Sequence, residues 1–279
     1  MITTLQKEVP AASVRTICQL FGVSRSWHYA ARRQSARTGE DDALVTRIEQ
    51  IVVRHPGYGY RRVTIALQRQ GVVINHKRVH RLMQSRSLLC AVKRYVRTTQ
   101  SQHPFRRMPN LAKAQRCTGP NQLWVADLTY LHLARETGFL ACILDAWSRK
   151  CIGWALGSEL TTDLTAQALA QAISTRQPGP GLIHHSDQGV QYANHRYAQL
   201  LTRIGAVMSM SAKGRPTENA VIESFFSTLK REEVWLTDYR DLTEARQCLH
   251  RFIDQIYNTE RLHSSLGYHP PVAFESATG

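Results

Sequence analysis

The chain has 279 residues and a formal net charge of +15 at pH 7, a length sufficient for about two domains with sizeable cores. Its apolar runs are far shorter than the roughly 20 residues of a membrane-spanning helix, and residues 1–10 lack the apolar stretch of a secretory signal. Six scattered cysteines predict neither a zinc ribbon nor a disulfide framework. We therefore expect a cytoplasmic protein with reduced thiols and no membrane partner.

Positive charge is concentrated in the first part of the chain. Residues 1–121 carry 22 Lys or Arg against 5 Asp or Glu, a net charge of +17, whereas residues 122–279 carry a net charge of −2. Basic side chains displace counterions from nucleic-acid phosphates, although a membrane surface or an acidic protein attracts the same charge. Motifs must therefore decide between these partners.

Residues 13–33 have the pattern of a helix-turn-helix motif. Apolar residues at helical spacing precede a turn at Gly22, and Ser24 is placed to cap a second helix that begins with Arg25. Arg25 is the candidate DNA-binding residue of this motif. Short helical hairpins with a glycine turn also occur without DNA, so both interpretations stay open here.

A second helical motif is predicted over residues 43–89. Helical spacing in LVTRIEQIVV is followed by the turn HPGYGYRR, the helix RRVTIALQRQG and a basic helix that begins near Asn75. The last helix has an apolar stripe with its basic residues largely off it, which fits a solvated face or, in so positive a region, contact with DNA. The candidate DNA-binding residues are Arg61, Arg62, Lys77, Arg78 and Arg81.

Residues 1–93 are thus predicted to form a basic, all-helical DNA-binding region, and residues 94–121 a linker. The linker segment loses periodicity and is rich in Pro, Asn, Thr, Ser and basic residues. Its charges fit contact with a DNA backbone, and a passive spacer fits equally well.

From residue 122 the pattern changes to strands and then to alternating helices and strands. LWVADLTYLHL, GFLACILDAW and CIGWALGSEL predict three consecutive strands, and helix, strand, helix, strand and helix follow. This order predicts an α/β fold with a mixed five-stranded sheet flanked by helices over residues 122–240. Residues 241–279 are expected to form a C-terminal helix and an arm that pack on this core; there Arg261 and His263 fit either a DNA contact or a structural role.

Three carboxylates of this core are candidate catalytic residues and metal ligands. Asp127 interrupts an apolar strand, Asp187 ends another, and Glu223 lies in a helical pattern, with thirty-five residues between the last two. Isolated charges are costly to bury, so they usually pair or bind metal, and carboxylate oxygens suit hard cations such as Mg²⁺. Each residue alone fits a cap or a turn, but the three together predict a two-metal phosphoryl-transfer site.

Several neighbours are predicted to support these carboxylates. Gly189 is expected to permit an unusual backbone turn after the second aspartate, and Ser186 and Gln191 are expected to hydrogen-bond a bound water, a carboxylate or DNA. Asn219 lies one turn before the glutamate on the same helix face and is expected to orient it. Lys230, two turns after the glutamate, is a candidate contact to a DNA phosphate, although exposure is the commoner outcome for a lysine.

Other titratable residues of the core are interpreted as structural. Asp145 precedes a turn, so an ion pair or a turn cap is preferred and it is left out of the ligand set. His184 and His185 are adjacent in a strand and point to opposite faces. We expect an ordinary core role for His184 and a positional role for His185.

The segments WVADLTY, LDAWSRKCIGW, HHSDQGVQY, SMSAKGRPTENAVIESFFSTLKRE and YNTERLHSSLGYHPPVAFE share a pattern with one known family. They resemble the second-frame (OrfB) transposases of bacterial insertion-sequence family number three, and RHPGYGYRRV resembles that family's upstream helix-turn-helix module. The resemblance covers nearly the whole chain. It implies a retroviral-integrase-like core of ribonuclease H fold, with Asp127, Asp187 and Glu223 as the DDE metal ligands and a DNA-facing loop that contains Lys213 and Arg215.

The resemblance also implies the activity and the partners. A DDE transposase uses Mg²⁺ or Mn²⁺, two ions per active site, to nick DNA 3′ ends and transfer the strand. The expected partners are element ends and target DNA, further copies of the chain in a synaptic complex, and an upstream-frame product as a fusion or an associate. The expected location is the bacterial cytoplasm, at the nucleoid when DNA is bound. Two alternatives stay open: a ribonuclease H-like nuclease, and a DNA-binding protein with an inactive core.

Overall fold

A computed structural model describes most of the chain, namely residues 13–90, 108–192, 194–211 and 219–278. The chain divides into two compact units, residues 1–91 and residues 92–279. Within the described ranges, no helix combines the length and the apolar character that a membrane crossing requires.

The first unit is helical throughout its described part. Its helices are α1 (Val14–Leu20), α2 (Arg25–Arg54), α3 (Tyr60–Arg69) and α4 (His76–Ser85). Three of them begin with a side-chain cap, because the oxygens of Ser13, Ser24 and Asn75 each accept a hydrogen bond from a first-turn backbone amide. The helix starts predicted from Ser24 and Asn75 are therefore confirmed.

The long helix α2 connects the two motifs that the sequence pattern separates. It runs without interruption from Arg25 in the first motif to Arg54 in the second. The interval contains Gly39 but no proline, and one glycine inside a helix costs only about 1 kcal/mol. One continuous helix thus replaces the two separate helices expected there.

Apolar residues from α2, α3 and α4 form the core of the first unit. The residues with no exposed surface are Ile48, Val63, Leu67, Val79 and Met83. The apolar stripe predicted on α4 is confirmed, because Leu82 is also buried beside the last two of these residues. Burial of this stripe leaves most basic side chains of α4 on its other faces.

The second unit is built on a five-stranded sheet. Its strands are β1 (Leu123–His132), β2 (Thr137–Asp145), β3 (Cys151–Gly157), β4 (Ile183–Ser186) and β5 (Val207–Met210). Its α-helices are α5 (Thr162–Arg176), α6 (His195–Arg203), α7 (Ala220–Glu232), α8 (Leu242–His250) and α9 (Pro271–Thr278). Shorter helical turns are Ala112–Ala114, Val234–Leu236, the π-helical Arg251–Tyr257 that continues α8, and Ser264–Leu266.

The strand order is β3-β2-β1-β4-β5. The first three strands form an antiparallel meander, and β4 and β5 join it in parallel with β1. The predicted mixed sheet is therefore confirmed, and its order is that of a ribonuclease H-like fold.

Alternate residues of β1 belong to two apolar cores on opposite faces of the sheet. Trp124 packs with residues of α5 and α6, whereas Leu123 and Val125 pack with residues of α7 and α8. Cys142 and Cys151 are free thiols, and both belong to the second of these cores. Because side chains alternate along a strand, Asp127, two residues after Val125, is expected on the face that α7 covers.

Part of the predicted linker belongs to the second unit. Met108 packs on the core, the backbone amide of Leu111 donates to Ser209 Oγ at 2.9 Å, and that of Asn121 donates to Asp145 Oδ2 at 2.7 Å. These backbone groups bond to side chains that are distant in the sequence. The structure of this segment therefore leaves no periodic pattern in its own sequence. Residues 94–107 lie outside the described ranges.

The C-terminal arm packs on the sheet through hydrogen bonds and ring contacts. Asn258 Oδ1 accepts a hydrogen bond from the backbone amide of Cys151 at 3.0 Å, and Asn258 Nδ2 donates one to the carbonyl of Cys151 at 2.9 Å. The centroid of the Phe274 ring lies 4.9 Å from that of the Trp147 ring. Arg261 is 2% exposed and His263 is 7% exposed. Their burial favours the structural role over the DNA contact.

Candidate active site

Asp127 lies on β1, and Asp187 directly follows the neighbouring strand β4. The last parallel pair between β1 and β4 is Val125 with His185, and each aspartate lies two residues beyond it. Residues i and i+2 of a strand share a face, and neighbouring strands are about 4.8 Å apart. Extending the register therefore places both carboxylates on the face that α7 covers, where β4 ends.

A tight turn holds the second aspartate. Asp187 Oδ1 accepts a hydrogen bond from the backbone amide of Gly189 at 2.9 Å, and the carbonyl of Gly189 accepts one from the amide of Tyr192 at 3.0 Å. Gly189 has no left-handed φ, so the prediction of an unusual backbone turn is wrong. Its lack of a side chain matters instead, because a Cβ there lies 2.9 Å from both Asp187 Oδ1 and Gln191 Oε1.

A Gly189→Ala variant is expected to lose about 10- to 100-fold in DNA cleavage, because the added methyl displaces the Asp187 carboxylate by a fraction of an ångström. Gly179→Ala is the matched control, since a Cβ at that position meets nothing within 4 Å. Cleavage of duplex oligonucleotides by both variants measures the effect. Equal rates for the two variants contradict a positional role for Gly189.

The other bonds near the aspartates are local. Asp127 Oδ1 accepts from the amide of Leu128 at 2.8 Å, and the buried Ser186 hydroxyl donates to the carbonyl of Asp187 at 3.0 Å. The carbonyl of Gln191 accepts from Thr165 Oγ1 at 3.5 Å. Ser186 thus bonds to the backbone of the residue that carries the second carboxylate, and the backbone of Gln191 is tied to α5.

Helix α7 begins against β1 next to the first aspartate. Its N-cap residue Asn219 is buried, and Asn219 Nδ2 donates to the carbonyl oxygen of Ala126 at 3.4 Å. Glu223 follows four residues later, in the first turn and on the same helix face. Asn219 thus ties the start of the helix that carries Glu223 to the residue before Asp127.

The three carboxylates share one side of the sheet without forming a preassembled ligand group. Within the described ranges, no three or more His, Cys, Asp or Glu are arranged to hold a metal ion. Asp127 and Asp187 each lie two residues beyond the last β1–β4 pair, and Glu223 is half-buried on the covering helix. Their convergence on one cation stays a prediction.

Lys230 lies on α7 close to the first aspartate. Its ammonium is 5.1 Å from the centroid of the Tyr130 ring, a cation–π distance. Burial lowers the pKa of Lys230, and the negative charge of Asp127 opposes that shift. The side chain is half-buried, which differs from the exposed position common for lysines, and its charge interacts with that of Asp127.

Tyr192 is a residue of this site that the sequence pattern did not single out. Its side chain is 2% exposed, and its ring meets the edge of Tyr197 at a centroid distance of 5.4 Å. Burial raises the pKa of Tyr192 well above its ordinary value, and the charges of Asp127 and Asp187 raise it further. Its hydroxyl has no hydrogen-bond partner among the described residues, a property that only the structure reveals.

The fourth acidic residue, Asp145, is structural, as predicted. It is fully buried, accepts hydrogen bonds from the amides of Asn121 and Trp147, and forms an ion pair with Arg176 at 3.4 Å. Burial raises the pKa of Asp145 despite the opposing hydrogen bonds and the arginine charge. Its bonding therefore supports leaving it out of the ligand set.

The two adjacent histidines contact opposite faces of β4, as predicted. His184 Nε2 lies 2.9 Å from the Tyr197 hydroxyl, and burial lowers the pKa of His184 to about 3. His185 Nδ1 lies 2.8 Å from Ser209 Oγ and ties β4 to β5. His184 is thus a neutral core residue.

The candidate DNA-binding residues of the first unit differ in their surroundings. Arg25, Arg61 and Lys77 are exposed near the amino-terminal ends of α2, α3 and α4. Arg62 is half-buried, with its guanidinium 5.8 Å from the centroid of the Tyr58 ring. Cationic groups at these exposed positions fit phosphate contacts.

Two further candidates pair within the protein. Arg78 and Arg81 both bind the carboxylate of Asp41 on α2, at 2.7 and 2.9 Å. Burial alone raises the pKa of Asp41, but the hydrogen bonds and charges of the two arginines outweigh it and lower the pKa. These arginines therefore fasten α4 to α2. Lys213 and Arg215 lie outside the described residues.

Comparisons with known proteins match this architecture. Two models described as integrase core domain match residues 118–216 and 205–271, and one described as HTH-like domain matches residues 40–95. An integrase-type core with a helical module before it defines a polynucleotidyl transferase. The chain belongs to the insertion-sequence transposases of family number three and its relatives.

Three relatives are similar over nearly their full length. The chain is 37% identical to the transposase for insertion sequence element IS904 of Lactococcus lactis, covering 88% of this chain and 98% of the relative. It is 38% identical to the insertion element IS600 uncharacterized 31 kDa protein of Shigella sonnei, covering 92% and 97%. It is 30% identical to transposase InsF for insertion sequence IS3A of Escherichia coli, covering 98% and 97%.

Solved structures also resemble the chain. A simian T-cell lymphotropic virus intasome, in complex with a PP2A regulatory subunit, matches with a TM-score of 0.47 and 14% identity, covering 82% of this chain and 74% of that chain. The HTLV-2 integrase catalytic core domain in complex with magnesium matches with a TM-score of 0.40 and 19% identity, covering 53% and 94%.

Proposed function

We propose that this transposase nicks DNA 3′ ends and transfers the strand with Asp127, Asp187 and Glu223 as its divalent metal ligands. The observation that carries the proposal is that each aspartate lies two residues beyond the last β1–β4 pair, at the part of the sheet on which α7 packs. The helix contributes the third carboxylate one turn after its anchor at Asn219. The site thus has the residues for metal-dependent phosphoryl transfer.

The residues present fit a divalent cation. Carboxylate oxygens are the preferred ligands of Mg²⁺ and Mn²⁺. Gly189 leaves room beside the Asp187 carboxylate, and the buried Oδ1 of Asn219 has no hydrogen-bond partner in the described part of the chain. We propose two ions per active site, Mg²⁺ or Mn²⁺. When bound, such ions supply charge neutralisation at the scissile phosphate and activation of the attacking and leaving oxygens.

The protein's own groups would position the DNA. In nicking, a water oxygen attacks the phosphorus and the 3′ end of the element leaves as a hydroxyl. In strand transfer, that hydroxyl attacks the phosphorus of a target phosphodiester, the bond to the target's own 3′ oxygen breaks, and the target strand leaves with a free 3′ hydroxyl. Lys230 places a positive charge beside Asp127, where a phosphate oxygen would otherwise meet only carboxylates. Packing of α7 on β1 holds Lys230 and Glu223 on the same side of the sheet.

We infer that the first unit binds the element ends or the target DNA. Its charge, its HTH-like match and the exposed Arg25, Arg61 and Lys77 support this assignment. Assembly of several copies in a synaptic complex, and fusion or association with an upstream-frame product, are part of the same proposal.

A Lys77→Ala variant is expected to bind DNA more weakly and to reduce the slope of log K against log salt concentration by about 0.9, the contribution of one phosphate contact. Arg78→Ala is the comparison, because the Arg78 guanidinium is paired with Asp41. Its loss should lower the melting temperature and leave the salt slope close to that of the wild type. Fluorescence anisotropy at several KCl concentrations measures the slope. An unchanged slope for Lys77→Ala contradicts a phosphate contact.

The wild-type protein tests the proposed activity directly. Duplex oligonucleotides that carry the element ends are incubated with Mg²⁺ or with EDTA, and nicked and joined products are separated on denaturing gels. Mg²⁺-dependent nicking followed by joining supports the transposase mechanism. Nicking without joining supports a ribonuclease H-like nuclease, and binding without nicking supports a DNA-binding protein with an inactive core.

A further inference from the structure

The Tyr192 side chain is held rigidly at the proposed site. Its backbone amide donates to the carbonyl of Gly189 at 3.0 Å, within the turn that also binds the Asp187 carboxylate. Its ring packs edge-on against Tyr197, and 2% of the residue is exposed. The position of the hydroxyl is therefore set by the fold.

The two buried tyrosines of this core differ in how their hydroxyls are bonded. The Tyr197 hydroxyl lies 2.9 Å from His184 Nε2, so the protein itself supplies its partner. The Tyr192 hydroxyl is buried without a hydrogen-bond partner among the described residues. Buried polar groups are rarely left unsatisfied, and an exception in a native protein points to a water, an ion or a catalytic role.

The surroundings of the Tyr192 hydroxyl indicate which kind of hydrogen-bond partner it takes. A Cβ at Gly189 would lie 2.9 Å from Asp187 Oδ1 and 3.5 Å from Tyr192 Cδ2, so the tyrosine ring lies next to that carboxylate. The charges of Asp127 and Asp187 both raise the pKa of the phenol. Both carboxylates accept hydrogen bonds from backbone amides, and the Tyr192 hydroxyl is bonded to neither of them. A tyrosine hydroxyl donates one hydrogen bond, and a water oxygen at the carboxylate pair is an acceptor of the right chemistry.

We propose that Tyr192 is a positioning residue whose hydroxyl donates a hydrogen bond to a water oxygen held at the Asp127–Asp187 pair when a divalent cation is bound. This inference rests on the proposed function and deepens it. Partners that orient the atoms around a metal typically contribute 10- to 100-fold to metal affinity. The hydroxyl of Tyr192 therefore raises the affinity of the site for the cation.

The test compares Tyr192→Phe with the wild type in the full-length chain. Without metal, the melting temperature of Tyr192→Phe is expected to equal or exceed that of the wild type, because an unsatisfied hydroxyl is removed. With Mg²⁺ alone, the variant should need about ten-fold more cation for half of its thermal stabilisation. Half-maximal nicking of a terminal oligonucleotide should shift to higher Mg²⁺ by the same factor, while kcat at saturating Mg²⁺ changes less.

Tyr197→Phe is the matched control. It removes a hydroxyl from an equally buried tyrosine whose partner is His184, so its melting temperature should fall with and without metal. Its Mg²⁺ dependence should stay that of the wild type.

The outcomes separate this inference from the proposed function. An unchanged Mg²⁺ dependence in Tyr192→Phe overturns the inference alone, as does a metal-free melting temperature that falls as far as that of Tyr197→Phe. A wild type whose stability and nicking do not respond to Mg²⁺ overturns the proposed function and this inference with it.

Discussion

An Asp187→Asn variant is expected to lose DNA nicking and joining by about 10³-fold or more while it retains binding to terminal DNA. The amide keeps the shape of the side chain but removes the negative charge that binds a divalent cation, and several kcal/mol of transition-state charge stabilisation go with it. DNA affinity should persist because the basic first unit carries it. Product yields on gels and anisotropy titrations with the same oligonucleotides measure the two properties.

Asp163→Asn is the control for this substitution. Asp163 lies in the first turn of α5, its side chain is 62% exposed, and it pairs with Arg196 at the surface. The same chemical change at this position should leave cleavage within about two-fold of the wild type, since exposed ion pairs contribute little. Mg²⁺-dependent cleavage by Asp187→Asn at the control rate would refute the assignment of the metal ligands.

The strands and helices of the core were predictable because each has a strong local pattern. The apolar extended run LWVADLTYLHL matches β1, and TDLTAQALAQAIS, which is rich in alanine and leucine, matches α5. Short capping motifs also carry local information, as the starts of α2 and α4 at Ser24 and Asn75 show.

Interactions between distant segments were not predictable from local patterns. The two arginines of α4 look like phosphate ligands in the sequence, whereas Asp41, 37 residues before Arg78, binds both of them in the fold. The extent of α2 is likewise not evident from the two motifs taken one at a time, because nothing between them ends a helix. A run of basic residues in the sequence therefore does not show which of them can contact DNA and which are paired inside the protein.

The candidate site was predictable in its residue types and only partly in its geometry. Asp127 stands out because turn chemistry does not explain a carboxylate inside an apolar strand. The need for glycine at position 189 was predicted for the wrong reason, since it arises from the close approach of two side-chain oxygens. The role of Tyr192 depends on a missing hydrogen bond, which no sequence pattern encodes.

Helix α7 is anchored at both ends, and its second anchor lies far from the carboxylates. At its start, Asn219 bonds to the β1 backbone beside Asp127. At its end, Glu232 accepts two hydrogen bonds of 2.8 Å from Arg261, whose side chain is 3% exposed. The C-terminal arm therefore helps to fix the helix that carries Glu223.

An Arg261→Met variant is expected to destabilise the protein by about 3–5 kcal/mol, because it leaves the Glu232 carboxylate buried without its partner. Arg261→Lys should lose less, since it retains the positive charge but not the two-pronged geometry. Replacing both residues in Glu232→Leu, Arg261→Met should restore much of the stability, because no orphaned charge remains. Guanidinium unfolding followed by circular dichroism gives the four free energies of unfolding.

The same variants separate the stability of the arm from the chemistry of the site. Arg261 lies in the C-terminal arm, so Arg261→Met should reduce cleavage mainly through the fraction of unfolded protein, and activity should recover at low temperature. The Asp187→Asn defect should not recover, because it removes a charge at the reaction centre. A double variant as unstable as Arg261→Met would show that packing around Arg261, including its contact with the Tyr257 ring at 5.9 Å, outweighs the ion pair.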